Sequence, residues 1–455
     1  MKPQRMSLAQ AIERSGGPLG LLRSPRQVGA FAFPRLPPEF SNWRDEQRAW
    51  RHGVALLELS FHQADLYIRG PQAIELIRRV SANRTGNFPV NRAKQIIACS
   101  PDGYQIGDGI CLQLEEDYFR IAGPTIVVNW TQFVAQSGGF DVEIERHESM
   151  AMRQGDPEIF IYQIQGPEAL ATVQGAADGE LPEIGFFGIG AFTIAGKAVR
   201  ALRHGMAGSP GFEIFGPWED AMAVKDALEK AGAPHGMRKV GGLAYATTAA
   251  ESGWVPLPLP AIYSGEAMKP YQDWLMLPGV EGMGSLGGSF RSEAIEDYYT
   301  VPGEFGSARL IDFDEDFIGR EALKERIANT ERTKMTLVWN AEDVSRVQHQ
   351  ALMGDGVPAK YISQPLSHYC TFPYDEVVSG SAHAGISMFA AYSSNARAFL
   401  SLALLKHGHA VPGTELTLRW GDPTAGRPGV EEHKMAEIRV TVAPAPFFDK
   451  SIKQD

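Results

Sequence analysis

Cysteine is scarce in this chain. Only Cys99, Cys111 and Cys370 occur among 455 residues, far apart and with no CxxC spacing. That excludes a disulfide framework and a thiolate zinc site, and it fits a reducing cytoplasm. Positive charge is short as well. A formal net charge of −11 argues against nucleic acid as the main partner, because phosphate binding needs concentrated Lys and Arg. No stretch approaches the roughly 18 apolar residues of a membrane span, and the opening MKPQRMSLAQAIERSGG has no apolar leader core. The 11 histidines form no HxxxH or HExxH pair, so no helix-borne metal site is expected. The GxSxG nucleophile elbow and the P-loop are both missing.

What is present reads as a multidomain globular chain. Apolar residues at 44% and charged residues at 21% are ordinary, and the length calls for about two to four domains. Ser7 caps a short helix that ends near Arg14 before Gly16-Gly17, and Ser41 opens a second with Trp43 and Trp50 on one face. A strand–Gly-Pro–helix pattern then recurs in ADLYIRGPQAIELIRRV, IYQIQGPEALATV and FEIFGPWEDAMAVKDAL. The glycine allows a tight exit from the strand, and the proline sits where a first helical turn needs no N–H. Such units suggest duplicated α+β modules with helices packed on antiparallel sheets. A meander with turns at Pro101-Asp102-Gly103 and Glu115-Glu116-Asp117 separates the first two units. After Thr330–Lys334, β-type runs spaced by Gly and Pro predict a barrel-like domain.

The stretch from Lys239 to Pro260, KVGGLAYATTAAESGWVPLPLP, concentrates site-like chemistry. Tyr245 and Trp254 lie beside prolines that hold the chain extended. Asp108 interrupts an apolar strand and Glu213 sits among apolar neighbours, so each is either solvated or buried with a partner. A buried Glu213 suits an amidine-like ring edge, since its two oxygens can accept parallel N–H bonds; a salt bridge to Arg is the rival reading. His62, before the first strand–turn–helix unit, stands where a strand end can open on a cleft. A literal GxGxxG runs from Gly282 to Gly287, but Pro278-Gly279 precedes it and no clean helix start follows, so a glycine-rich loop is the expectation.

The segments GMAGSPGFEIFGP, AYATTAAESGW, DFIGREAL and VPGTELTLRWG, in that order, resemble the folate-binding aminomethyltransferase family typified by the glycine-cleavage T-protein. Within it, EFSNWRDEQRAWR, DLYIRG, ESGWVPLPLPAIYSGE, GGSF followed by IEDYY, and LRHGMAGSPG resemble the tetrahydrofolate-dependent aromatic O-demethylases. The likeness implies an α+β fold of ferredoxin-like antiparallel modules with a C-terminal β-barrel. Residues 1–60 and 141–265 would form the folate-binding module, 61–140 and 266–330 the second module, and 331–455 the barrel.

It also implies site residues. Tyr245 stands six residues before Glu251, where the T-protein pattern has arginine and the demethylases carry a tyrosine proposed to be catalytic. Gln165, Glu213, Trp254, Asp108 and Arg203 fall to the cofactor, tetrahydrofolate. His62, Phe61, Phe33 and Arg120 fall to the substrate. Phe61-His62 replaces the His-His of vanillate-type enzymes, and the arginine they carry near the turn Ala122-Gly123-Pro124 is replaced, with Arg120 the nearby candidate. The implied activity is O-demethylation of a small methoxybenzoate (syringate, 3-O-methylgallate or vanillate) without a metal, nucleic acid or membrane. A folate enzyme acting on an amine or sulfonium, and a non-catalytic folate-binding protein, are the alternatives.

Overall fold

The computed structural model describes residues 5–24, 35–61, 63–149, 152–256, 258–423 and 430–449. Its first sheet has six strands in the order Arg238–Val240, Ala55–Glu58, Ile159–Gln165, Gly211–Pro217, Lys197–Arg203, Ile189–Ile194. Side chains alternate across these strands, so their two faces have separate partners. Phe160, Tyr162, Ile164, Phe212 and Ile214 pack beneath the helices Ala169–Ala176 and Ala221–Gly232. Ile161, Leu202 and Phe215 turn the other way, toward Tyr67 and Leu112. Gln163, Gln165 and Glu213 share that second face by the same alternation, with Gln163 directly opposite Glu213.

Five antiparallel strands make the second sheet, in the order Arg92–Cys99, Gln105–Glu115, Tyr118–Gly123, Ala64–Arg69, Glu143–His147. The helix Thr125–Gly138 covers it and stops at Gly139, which takes the left-handed conformation. The predicted meander is here. The module boundary at 141 is corrected: Glu143–His147 pairs with Ala64–Arg69, Ile144 opposite Ile68 and His147 opposite Asp65. Its alternating pattern announces a strand, but a period of two carries no information about which sheet edge takes it.

Two of the three Gly-Pro turns use glycine for its positive φ. Gly70 has φ +140 and Gly166 φ +136; a Cβ there would meet Asp141 O at 2.6 Å or Gly53 O at 2.3 Å. At the third the strand runs on through Pro217 before a short 3-10 turn, and Gly216 needs no such freedom.

The C-terminal strands close into a barrel in the order Arg332–Trp339, Ala398–Lys406, Ala382–Ser393, Asp375–Ser379, Glu415–Trp420, Ala436–Ala443. Leu337, Trp339, Leu405, Leu418 and Trp420 fill it. The expected α+β architecture with a terminal barrel is what the chain forms. The GxGxxG segment begins inside a helical turn, Val280–Met283, and ends in the strand Leu286–Gly287, which pairs with Phe372–Pro373. Helix before strand is the reverse of a nucleotide cradle. Among the described residues no helix is long and apolar enough to cross a membrane.

Candidate active site

A cavity of about 890 Å³ opens where the inner faces of both sheets meet the barrel. Its walls include Glu213 and His204 from the first sheet, Asp108 and Arg120 from the second, and His368 and Phe389 from the barrel side. Tyr245 and Trp254 complete it.

Tyr245 ends the short helix Gly242–Tyr245, whose entry is held from several directions. Glu46 is wholly buried; its Oε2 accepts from Gly241 N at 2.9 Å, and its Oε1 from Phe40 N at 2.7 Å and Ser41 N at 2.8 Å. Gly242 N and Leu243 N donate to Pro37 O and Pro38 O at 2.8 and 3.1 Å. Glycine at 241 is required by contact, since a Cβ would lie 2.4 Å from Pro38 O. Burial, and then the nearby Glu213 carboxylate, hold the Tyr245 hydroxyl well above the ordinary tyrosine range. Tyr245 therefore stays protonated and can donate a hydrogen bond without acting as a base.

Asp108 Oδ2 accepts from Gln95 Nε2 at 2.6 Å and from Trp254 Nε1 at 3.3 Å. The second bond fixes the indole plane against the cavity. Burial raises the Asp108 carboxyl above its usual range, opposed by those two donors. Glu213 is pushed up to about 7 by burial, which outweighs the opposing Arg120 charge. His204 Nε2 stands 4.0 Å from Glu213 Oε1. Arg120 itself is buried, with Nε donating to Asp65 Oδ1 at 2.8 Å and Nη2 2.8 Å from the same oxygen.

The cavity thus brings together Tyr245, Glu213, Trp254, Asp108 and Arg120. Three other candidates stand off its wall. Gln165 is buried behind Gly205, its Nε2 donating to Ser209 O at 3.3 Å. Arg203 donates to Ile184 O at 3.1 Å. Phe61 packs edge-on against Trp218, centroids 5.5 Å apart, with the Arg35 guanidinium 5.3 Å from its ring. Phe33 and His62 lie outside the described residues.

Sequence reasoning missed Gln95, His204 and the barrel wall. His204 carried a usable signal, a polar residue between a strand end and a glycine. His368 carried none. It reaches the cavity through a loop laid along the barrel, its ring 4.7 Å from that of Phe389, and burial lowers its pKa to about 4. Phe389 has φ +51 at a bulge where the ladder shifts between Met388 and Ala390. No local sequence pattern announces such a kink.

Comparison with known proteins identifies the family. The GCVT N-terminal domain model matches residues 26–257. The chain is 38% identical to a syringate O-demethylase from Sphingobium sp. (strain NBRC 103272 / SYK-6), over 97% of this chain and 96% of that protein. It is 30% identical to a sesamin methylene transferase from Sinomonas sp. (strain No.22), over 92% of each. Among solved structures, the glycine cleavage system aminomethyltransferase T from Bartonella henselae superimposes with a TM-score of 0.62. At 15% identity over 93% of this chain and 94% of that one, the match speaks for the fold alone. The chain belongs to the GCVT family and is one of its tetrahydrofolate-dependent enzymes, as its motifs implied.

Proposed function

We propose that this enzyme demethylates a methoxylated benzoate (syringate, 3-O-methylgallate or vanillate), passing the methyl group to N5 of tetrahydrofolate and releasing a phenol. The observation that carries the reading is one cavity lined together by the Tyr245 hydroxyl-bearing ring, the Glu213 carboxyl and the Trp254 indole. The similarity to a syringate O-demethylase supports the aromatic substrate.

The residues present fit a reduced pterin. Glu213 offers two carboxyl oxygens to an amidine-like edge, and Trp254 a flat face fixed by Asp108. When bound, tetrahydrofolate supplies the nucleophilic nitrogen. The protein's own contribution is positioning and charge control. Holding the methyl carbon in line with its acceptor can be worth roughly 7–11 kcal/mol. Tyr245 would donate its hydroxyl hydrogen to the ether oxygen as negative charge develops there. With its acidity suppressed by burial, it stabilises that charge mainly as a hydrogen-bond donor. Arg120 is the proposed partner of the benzoate carboxylate. The aliphatic and aromatic wall of Ile110, Leu112, Phe187 and Phe389 excludes water from the leaving oxygen.

The test is to incubate the enzyme with tetrahydrofolate and each of the three methoxybenzoates. Formation of 5-methyltetrahydrofolate with at least one is the expected result; none with any of them refutes the reading.

A further inference from the structure

Arg120 is a cation held almost entirely out of water, with 4% of its side chain exposed and 8% of that of Asp65. An isolated charge at that depth would be untenable, so Asp65 is a structural necessity for keeping arginine on this wall. Their contact is lopsided. Both Nε and Nη2 approach the same oxygen, Asp65 Oδ1, at 2.8 Å. Nε alone donates a hydrogen bond to a described residue, and Nη2, for all its closeness to Asp65, is buried without one. Arg120 lines the cavity and Asp65 does not. On its other side the guanidinium carbon lies 5.3 Å from the centre of the Phe215 ring, which limits its rotation. An arginine gripped on one edge, braced by a ring and lining a cavity can offer its remaining N–H groups to a planar carboxylate.

We propose that Asp65 is a positioning residue for substrate selection: it aims the remaining N–H groups of Arg120 into the cavity, and this sets the enzyme's preference for aromatic acids over uncharged aryl ethers. The inference rests on the function proposed above and adds a residue that touches neither substrate nor cofactor. It also links selection to the acid on the same wall. Glu213 is faced by Arg120 and Asp65 from the second sheet, by His204 at 4.0 Å, and by Tyr245 from its helix. Asp65 partly cancels the Arg120 charge at Glu213. Removing the Asp65 charge strengthens that cation's pull and lowers the pH at which Glu213 loses its proton.

Wild-type, Asp65→Asn and Asp65→Glu enzymes are compared on syringate and on its uncharged counterpart, 2,6-dimethoxyphenol, with tetrahydrofolate. In Asp65→Asn, KM for syringate rises roughly 10- to 100-fold, the range of a charged hydrogen bond, while KM for the uncharged phenol stays within about threefold. The acid limb of the kcat/KM profile moves to lower pH in the same variant, which a merely structural role would not cause. Asp65→Glu keeps the charge and restores most of the syringate affinity. Should Asp65→Asn fail to fold, Asp65→Glu carries the test alone, with a smaller rise in KM confined to the acid. Equal KM changes on both substrates, or an unmoved pH profile, overturn the proposal. A wild-type enzyme that forms 5-methyltetrahydrofolate from neither compound instead removes the functional reading beneath it.

Discussion

Glu251 and Glu213 are both carboxylates taken out of water, and burial raises the pKa of each. Their surroundings could hardly differ more. Glu251 accepts from Ser393 Oγ at 2.5 Å, Trp50 Nε1 at 3.1 Å, and Asn395 Nδ2 at 3.0 and 3.1 Å. It ties the helix Thr248–Ser252 to the helix Trp43–His52 and to the barrel. Gln47 adds to the same seam, donating to Thr247 Oγ1 and Tyr392 O and accepting from Ser394 N. Among the described residues no donor reaches Glu213 within hydrogen-bonding distance; His204 is 4.0 Å away, and the carboxyl faces the cavity. The chain satisfies the first acid with its own groups, whereas the second, proposed above to take the pterin edge, faces the cavity without a donor from the described residues. Depth of burial does not separate a structural acid from a functional one; completion of its hydrogen bonds does.

Substitutions at the two acids and their neighbours test that contrast. The largest effect is expected at Tyr245, beside the open acid: Tyr245→Phe lowers kcat by about 10²- to 10⁴-fold while the unfolding curve is unchanged. Steady-state rates and chemical denaturation check both halves. Next comes the closed acid. Glu251→Ala strands the Trp50, Ser393 and Asn395 donors and costs about 3–5 kcal/mol of stability, read by denaturant titration.

Glu213→Gln should do the reverse, raising KM for tetrahydrofolate by roughly 10- to 100-fold without unfolding the chain. Its stability signature has a definite sign. The folded pKa of Glu213, about 7, lies above the ordinary 4.5, so the fold favours the protonated form and stability falls as pH rises between those values. The cost above that window is about 3 kcal/mol, at 1.36 kcal/mol per pKa unit. Replacing Glu213 with Gln abolishes this part of the pH dependence, which melts at about pH 5 and about pH 8 would reveal. The smallest effect is Trp254→Phe. Losing one N–H donor to Asp108 while keeping a flat ring should raise the folate KM only about fivefold, roughly 1 kcal/mol.

Much of this was legible in the sequence because it is local. Gly-Pro turns, the Pro101-Asp102-Gly103 corner and the Gly139 stop each announce themselves within a few residues. Tyr245, Glu213, Trp254 and Asp108 stood out as polar or aromatic groups in settings that do not otherwise want them. Long-range pairing was not legible. Nothing near Glu143 says which sheet it joins, and nothing near His368 says that a barrel loop closes a cavity built by two other sheets. Arg120 showed the same limit: the chain marks it as a basic residue in a strand, and only the fold reveals Asp65 gripping one edge. The roles of Glu46, Gln47 and Glu251 were hidden for that reason too, since their partners lie up to hundreds of positions away.

The central claim is that an aryl methyl group leaves from this cavity and ends on tetrahydrofolate. The most direct measurement is a single-turnover reaction of the wild-type enzyme with tetrahydrofolate and syringate carrying an isotopically labelled methoxyl carbon. The label is expected in 5-methyltetrahydrofolate, appearing in step with release of the demethylated phenol. Phenol release with the label in any other one-carbon product, or no release at all from an enzyme that binds folate, would contradict it.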